Sequence, residues 1–109
     1  MDSAAKLKAA IRNVQDFPKA GIGFKDITPI LAHPGLFSLA VDVLSERHLK
    51  QKITAVAAID ARGFIFGAAM AQKLGAGFIP IRKKGKLPFK TIDESYELEY
   101  GSATLSVHV

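Results

Sequence analysis

The residues best suited to chemistry in this sequence form one pentapeptide, Asp60-Ala61-Arg62-Gly63-Phe64. It lies between an apolar run at residues 53–59 and a run of small residues at 64–74. The guanidinium of Arg62 presents five N–H donors in a planar fork that matches phosphate oxygens, and Gly63 would let a ligand approach the backbone. The pattern predicts an anion site. An ion pair between Asp60 and Arg62 that merely ends a strand is an open alternative.

A second cationic segment follows another short apolar run, at residues 77–81. It reads Arg82-Lys83-Lys84-Gly85-Lys86-Leu87-Pro88-Phe89-Lys90. If both apolar runs are parallel strands, their carboxyl ends share one sheet edge, where open α/β sheets bind ligands. Two cationic loops at one edge could bind a multiply charged group such as a diphosphate. The alternative is a solvated basic loop.

Acidic and aromatic residues supply further candidates, each with a plain structural alternative. An acidic group after the basic segment could act as general base or hold a Mg²⁺-linked substrate, or could form the solvent face of a hairpin: Asp93, Glu94, Glu97 and Glu99. Phe17 and Phe24 flank a glycine-rich segment and could receive a planar base or belong to the core. The three histidines are too scattered to predict a metal site.

The elements that must position these residues read as α/β throughout. Residues 3–14 are spaced as a short amphipathic helix with Ser3 as N-cap, residues 17–31 are rich in loop formers, and residues 34–49 repeat at helical spacing. Residues 53–59 read as a parallel strand covered on both faces, and residues 53–81 as one βαβ unit. Alternating polarity at residues 95–100 and 104–109 predicts a hairpin.

Composition narrows the class without choosing a function. A chain of 109 residues suffices for one compact domain, and a formal charge of +5 favours acidic partners such as phosphorylated metabolites, nucleic acid or a membrane surface. Because there is no cysteine, disulfides and thiolate sites are excluded. No secretory or membrane-spanning pattern is present, so the sequence predicts a cytoplasmic protein.

Four segments, taken in order, closely resemble adenine phosphoribosyltransferases: FPKAGIGFKDITP at 17–29, DARGF at 60–64, IRKKGKLP at 81–88 and SYELEYG at 95–101. The resemblance implies transfer of phosphoribose from 5-phosphoribosyl 1-diphosphate to N9 of adenine, giving AMP and diphosphate in purine salvage. It implies Mg²⁺ bound through the diphosphate substrate, and a homodimer. Neither a membrane nor nucleic acid is an expected partner.

The same resemblance implies roles for particular residues. The adenine-binding set would be Ile22, Phe24, Lys25 and Arg62, with the family's usual arginine replaced at Lys25 and the base read through the backbone there. The diphosphate-binding set would be Ala61, Arg62, Gly63, Arg82, Lys83 and Lys86, in part across a dimer interface. Glu99 would manage the adenine proton and Tyr100 would help close a flexible hairpin loop. No residue is expected to bind the metal directly.

One departure from the family pattern shapes the expected fold. The two adjacent acids and Thr/Gly-rich loop that bind the 5′-phosphate and ribose are not found in these 109 residues. We therefore expect the N-terminal part of a phosphoribosyltransferase-type fold: a single incomplete domain at 1–109, with a base-binding segment at 1–31 and a partial α/β core at 34–109. The core would be a parallel sheet with flanking helices and a β-hairpin.

The departure also leaves three functions open. The chain alone would be weakly active or inactive as an enzyme. One alternative is a non-catalytic regulatory or nucleic-acid-binding module with a phosphoribosyltransferase-like fold. Another is a truncated product that pairs with full-length subunits through exposed strand edges.

Overall fold

The computed structural model describes residues 2–98 and 101–109 and divides into two compact units, Met1–Arg47 and His48–Val109. We call them the N-terminal unit and the C-terminal unit. The boundary at Arg47 differs from the subdivision near residue 31 expected from sequence. The single domain at 1–109 stays a prediction.

The N-terminal unit contains three helices and one hairpin. The helices are α1 (Ser3–Ala10), α2 (Thr28–Ala32) and α3 (Pro34–Glu46), and they contact one another. Strands β1 (Arg12–Gln15) and β2 (Gly23–Asp26) pair antiparallel, from Arg12 opposite Asp26 to Gln15 opposite Gly23. The most buried apolar residues of this unit, Ile30, Ala40 and Val41, lie on α2 and α3.

This hairpin corrects the sequence reading of the first thirty residues. The helix predicted over 3–14 ends at Ala10, and its N-cap is Asp2, whose carboxylate accepts a hydrogen bond from the Ala5 N–H at 2.7 Å, rather than Ser3. Ile11 is already extended, with φ −71° and ψ 129°. Residues 12–15 find backbone partners on β2, so strand pairing overrides the local helical spacing.

The C-terminal unit is built on a four-stranded mixed sheet. Its elements are β3 (Ala55–Ile59), α4 (Arg62–Leu74), β4 (Gly77–Lys83), β5 (Thr91–Leu98) and β6 (Gly101–His108), with strand order β3-β4-β6-β5. Strands β3 and β4 are parallel, and the other pairs are antiparallel. This confirms the predicted α/β class, the βαβ unit and the hairpin, whose first strand begins at Thr91.

Close packing of α4 on the parallel pair depends on Gly67. A Cβ added there would lie 2.7 Å from the Ala58 Cβ and 2.9 Å from a ring carbon of Phe78, closer than side chains approach in proteins. Phe64 and Phe78 also meet edge to face, with ring centroids 5.5 Å apart. Gly75 ends the helix in the left-handed conformation, with φ +68°.

The expectation that β3 is covered on both faces is wrong for the described residues. Val56 and Ala58 are half-buried, whereas Ala55, Ala57 and Ile59 are exposed. The alternation arises because α4 packs against one side of this short strand. Among the described helices, none combines the length and apolar character needed to cross a bilayer.

Candidate functional site

The turn between β3 and α4 presents backbone N–H groups at the carboxyl end of the strand. The Asp60 N–H donates to the Ile81 carbonyl at 2.9 Å, and the Asp60–Ala61 peptide is cis. Helix α4 then begins at Arg62, and no described side chain caps it. The first N–H groups of a helix have no intrahelical acceptor and lie at its positive end. The turn therefore suits an anionic group.

The carboxylate of Asp60 is held by the neighbouring strand. Because Ile59 is in register with Ile81, the next residues, Asp60 and Arg82, lie side by side. Arg82 Nε donates to Asp60 Oδ2 at 2.9 Å, with the two side chains 35% and 30% exposed. The alternative ion pair between Asp60 and Arg62 is not formed. Arg62 is exposed at the first position of α4.

Arg82 also holds the cationic turn that follows it. Its Nη1 donates to the Lys86 carbonyl at 3.3 Å, and the Lys86 N–H donates to the Lys83 carbonyl at 3.1 Å. Gly85 allows this turn because its φ is +91°. Arg82 thus connects the Asp60 carboxylate to the turn at residues 83–86.

A pocket of about 460 Å³ lies beside these groups. It is lined by Ile59, Asp60, Arg82, Lys83, Lys86, Tyr96 and Leu105. Three of the cationic side chains predicted to bind diphosphate therefore line one pocket: Arg82, Lys83 and Lys86. Tyr96 is not among the predicted site residues. Its place in the pocket depends on the pairing of β6 with β4, which is a long-range contact. A sequence analysis could have found it only by predicting that pairing.

The predicted diphosphate-binding residues fall into two groups at this edge. Ala61, Arg62 and Gly63 form the start of α4, while Arg82, Lys83 and Lys86 border the pocket, which Arg62 does not line. The missing side chain of Gly63 points toward the Ala58 Cβ at 3.4 Å. What Gly63 can offer a ligand is therefore its N–H rather than open space at its Cα.

Asp93 is engaged within the hairpin. Ser106, which is only 2% exposed, donates from its hydroxyl to Asp93 Oδ1 at 2.6 Å, and the Thr91 hydroxyl donates to the same atom at 2.7 Å. The hydrogen bond from Ser106, followed by that from Thr91, lowers the pKa of the Asp93 carboxyl. An acid held ionised in this way is a poor proton acceptor at neutral pH, so its role in the described structure is to tie β5 to β6.

The predicted adenine-binding residues of the N-terminal unit lie on or beside one hairpin. Phe24 on β2 meets Phe17 edge to face, with ring centroids 5.1 Å apart. Ile22 is 37% exposed in the connecting loop, and the Lys25 ammonium donates to Asn13 across the strand pair. The Lys25 side chain is thus directed to Asn13.

This hairpin is fixed to α2 by one acid. Asp26 Oδ1 accepts hydrogen bonds from the Thr28 N–H at 2.9 Å and the Thr28 hydroxyl at 2.8 Å, while Oδ2 lies 3.4 Å from Arg12 Nη1. The Thr28 backbone N–H, then its hydroxyl, lowers the pKa of the Asp26 carboxyl. The carboxylate therefore binds the first residue of α2 and also the first residue of β1, at the end of the β1–β2 pair.

Glu99 and Tyr100, the predicted catalytic pair, lie outside the described residues. Within residues 2–98 and 101–109, no group of three or more acidic or histidine side chains could hold a metal ion.

Comparison with known proteins gives one consistent answer, although no family model matches. An adenine phosphoribosyltransferase of Paraburkholderia phymatum is 52% identical over 107 residues, which cover 98% of this chain and 57% of the relative. The crystal structure of the enzyme from Rhodothermus marinus superposes with a TM-score of 0.88 at 55% identity, over 97% of this chain and 60% of that one.

A third comparison extends the likeness to a eukaryotic structure. The Saccharomyces cerevisiae enzyme, crystallised with an imino-altritol bisphosphate and adenine, gives a TM-score of 0.90 at 40% identity, over 97% of this chain and 62% of that one. The fold and the sequence thus match the same set of proteins, and the chain spans about three fifths of their length. In both sequence and fold, the chain therefore corresponds to part of an adenine phosphoribosyltransferase.

Proposed function

We propose that this chain is the adenine- and diphosphate-binding part of an enzyme that transfers phosphoribose from 5-phosphoribosyl 1-diphosphate to adenine, giving AMP and diphosphate. One observation supports this best. The N-terminus of α4 and the side chain of Arg82, with the cationic turn that it holds, lie at the same edge of the β3–β4 pair. The non-catalytic module is not favoured, because the sequence and structure comparisons agree on the enzyme.

The anion edge would act on the leaving group. In this reaction negative charge grows on the departing diphosphate, and donors already in position stabilise it without reorganisation. We assign this role to the N–H groups at Ala61, Arg62 and Gly63 and to the Arg62 guanidinium. Lys83 and Lys86 add charge from the neighbouring turn.

Mg²⁺ would be bound through the diphosphate oxygens. The carboxylate nearest to the edge, Asp60, is already engaged by Arg82 at 2.9 Å. Hard cations take oxygen ligands and often bind through substrate phosphates with few protein ligands. When bound, the ion would neutralise charge on the diphosphate, while the residues of this chain orient that group.

The adenine ring would bind at the β1–β2 hairpin. Phe24 and the exposed Ile22 offer aromatic and apolar surface, and the Lys25 backbone offers a donor and an acceptor for the edge of the base. Arg62 would belong to the adenine-binding set as well as to the diphosphate-binding set. Glu99 would hold the proton on the imidazole side of adenine, and Tyr100 would close the β5–β6 hairpin over the substrates.

The assembled enzyme would be a cytoplasmic homodimer. The family resemblance supports the dimer and implies that the diphosphate-binding set is completed in part across its interface. Tested alone, the 109-residue chain should bind ligands but form little or no AMP, because the relatives it matches are considerably longer.

The proposal is tested by titrating the chain calorimetrically with magnesium diphosphate and with adenine, and by following AMP formation chromatographically. We expect saturable binding of both ligands and little turnover. Failure to bind diphosphate at low salt would contradict the assigned edge. AMP synthesis at the rate of a full-length relative would contradict the expected weak activity.

A further inference from the structure

We infer that Asp60 is a positioning residue that strengthens diphosphate binding at the cationic edge, although its own charge opposes an anion. The inference rests on the proposed function and identifies a residue of the same edge that acts through Arg82. It arises from a continuous set of contacts between Asp60, Arg82 and Lys86.

The contacts fix Arg82 at both ends of its guanidinium. Nε donates to Asp60 Oδ2 at 2.9 Å, and Nη1 donates to the Lys86 carbonyl at 3.3 Å. Asp60 itself is anchored, because its N–H donates to the Ile81 carbonyl at 2.9 Å. The β3–β4 register thus holds the carboxylate, and the carboxylate holds the guanidinium.

The guanidinium in turn holds the cationic turn. Since Nη1 binds the Lys86 carbonyl, the backbone between Lys83 and Lys86 is tied to the sheet edge rather than left to its own 3.1 Å hydrogen bond. Both lysines line the same pocket as Asp60. Without the carboxylate, the side chain of Arg82 and the two ammonium groups would sample more positions, and binding a ligand would have to order them.

Simple electrostatics and positioning predict opposite signs for one substitution. Removing a negative charge from an anion site should tighten diphosphate binding through the Coulomb term alone. If Asp60 acts by orienting Arg82, Asp60→Asn should instead weaken binding. A charge-assisted hydrogen bond is about twice as strong as a neutral one, so the amide is a poorer partner for the guanidinium.

The experiment measures the dissociation constant of magnesium diphosphate for the wild-type chain and for Asp60→Asn. We expect the variant to bind about fivefold or more weakly, a change of the size that one strong hydrogen bond produces. Glu46→Gln removes the same charge from the end of α3, in the other unit, and should change the constant by less than about twofold. Equal or tighter binding by Asp60→Asn would overturn the inference.

A second variant and a ligand-free measurement guard against a simple folding defect. Arg82→Lys keeps the positive charge but has no planar fork to join Asp60 to the Lys86 carbonyl, so it should also weaken binding. Unchanged affinity would overturn the inference. In the free chain, the Arg82 Nε–H should exchange slowly with solvent and about tenfold faster in Asp60→Asn; equal rates would likewise overturn it.

The proposed function and the inference fail in distinguishable ways. Absence of diphosphate binding by the wild-type chain would overturn both. Normal wild-type binding combined with an unweakened Asp60→Asn variant would overturn only the positioning role of Asp60.

Discussion

The β1–β2 hairpin of the N-terminal unit and the β3–β4 edge of the C-terminal unit bring their candidate binding residues together in different ways. The hairpin is built from residues close in sequence: Phe17 with Phe24, and Asn13 with Lys25. The edge joins residues farther apart in sequence, as in the pair between Asp60 and Arg82. The proposed base-binding surface therefore forms from pairing between nearby residues, whereas the proposed anion site depends on the strand register and on the packing of α4.

Diphosphate affinity should depend strongly on the edge and not on cations elsewhere in the same unit. Arg62→Ala should weaken diphosphate binding by about 1.5–3 kcal/mol, the usual loss for hydrogen bonds to a charged group. Calorimetric titration would measure the change. Lys52→Ala removes an exposed cation that precedes β3, at the opposite end of that strand, and serves as the matched control. Equal losses in both variants would indicate binding to net charge only.

Stability of the C-terminal unit should depend on the close approach of α4. Gly67→Ala should destabilise it by about 1–3 kcal/mol, because the added methyl meets Ala58 and Phe78 within 3 Å. Urea unfolding would measure the loss. Gly63→Ala on the same helix meets Ala58 only at 3.4 Å and should cost less. Equal stability of the two variants would contradict the packing argument.

Adenine affinity should depend on the hairpin and leave diphosphate affinity unchanged. Phe24→Leu removes an aromatic face and should weaken adenine binding about tenfold, near 1.4 kcal/mol. The control is Phe89→Leu, at a ring that is 69% exposed in the other unit. Titration of each variant with both ligands tests the division. A parallel loss of diphosphate binding in Phe24→Leu would show that the two surfaces are not separate.

The smallest expected effect is the acid sensitivity of each region. The pKa values of Asp26 and Asp93 are lowered in the folded chain. Both carboxylates therefore stabilise the folded chain at pH values above their unfolded-state pKa, which is near 3.9. This contribution falls as the pH drops through the lowered folded pKa. Urea midpoints measured between neutral pH and pH 2 would show it.

One substitution in each unit separates the two acids. Ser106→Ala removes the main cause of the Asp93 shift, and Thr28→Val removes the second cause of the Asp26 shift. Each should flatten the acid dependence while lowering stability at neutral pH. An unchanged profile in Ser106→Ala would show that its hydroxyl does not hold Asp93 ionised.

Much of the C-terminal unit is predictable from sequence because its signals are local. The apolar runs, the small residues of α4 and Gly75 predict the βαβ unit, and the alternation at residues 95–100 and 104–109 predicts the hairpin. The N-terminal unit was read less well, since β1 has a helical pattern and becomes a strand only by pairing with β2. The predicted fold class and family are confirmed, whereas the roles of individual site residues stay predictions.

The types and spacing of the side chains alone specify which groups are available: an arginine after an apolar run, a lysine-rich turn after the next apolar run, and aromatic residues beside a glycine-rich loop. Side-chain chemistry and element spacing are properties of the chain, so these could be read directly. The pairing of Asp60 with Arg82 rather than Arg62, and the presence of Tyr96 in the pocket, are seen only in the folded structure. Partners across strands depend on register and on β6 lying beside β4, which no local pattern specifies.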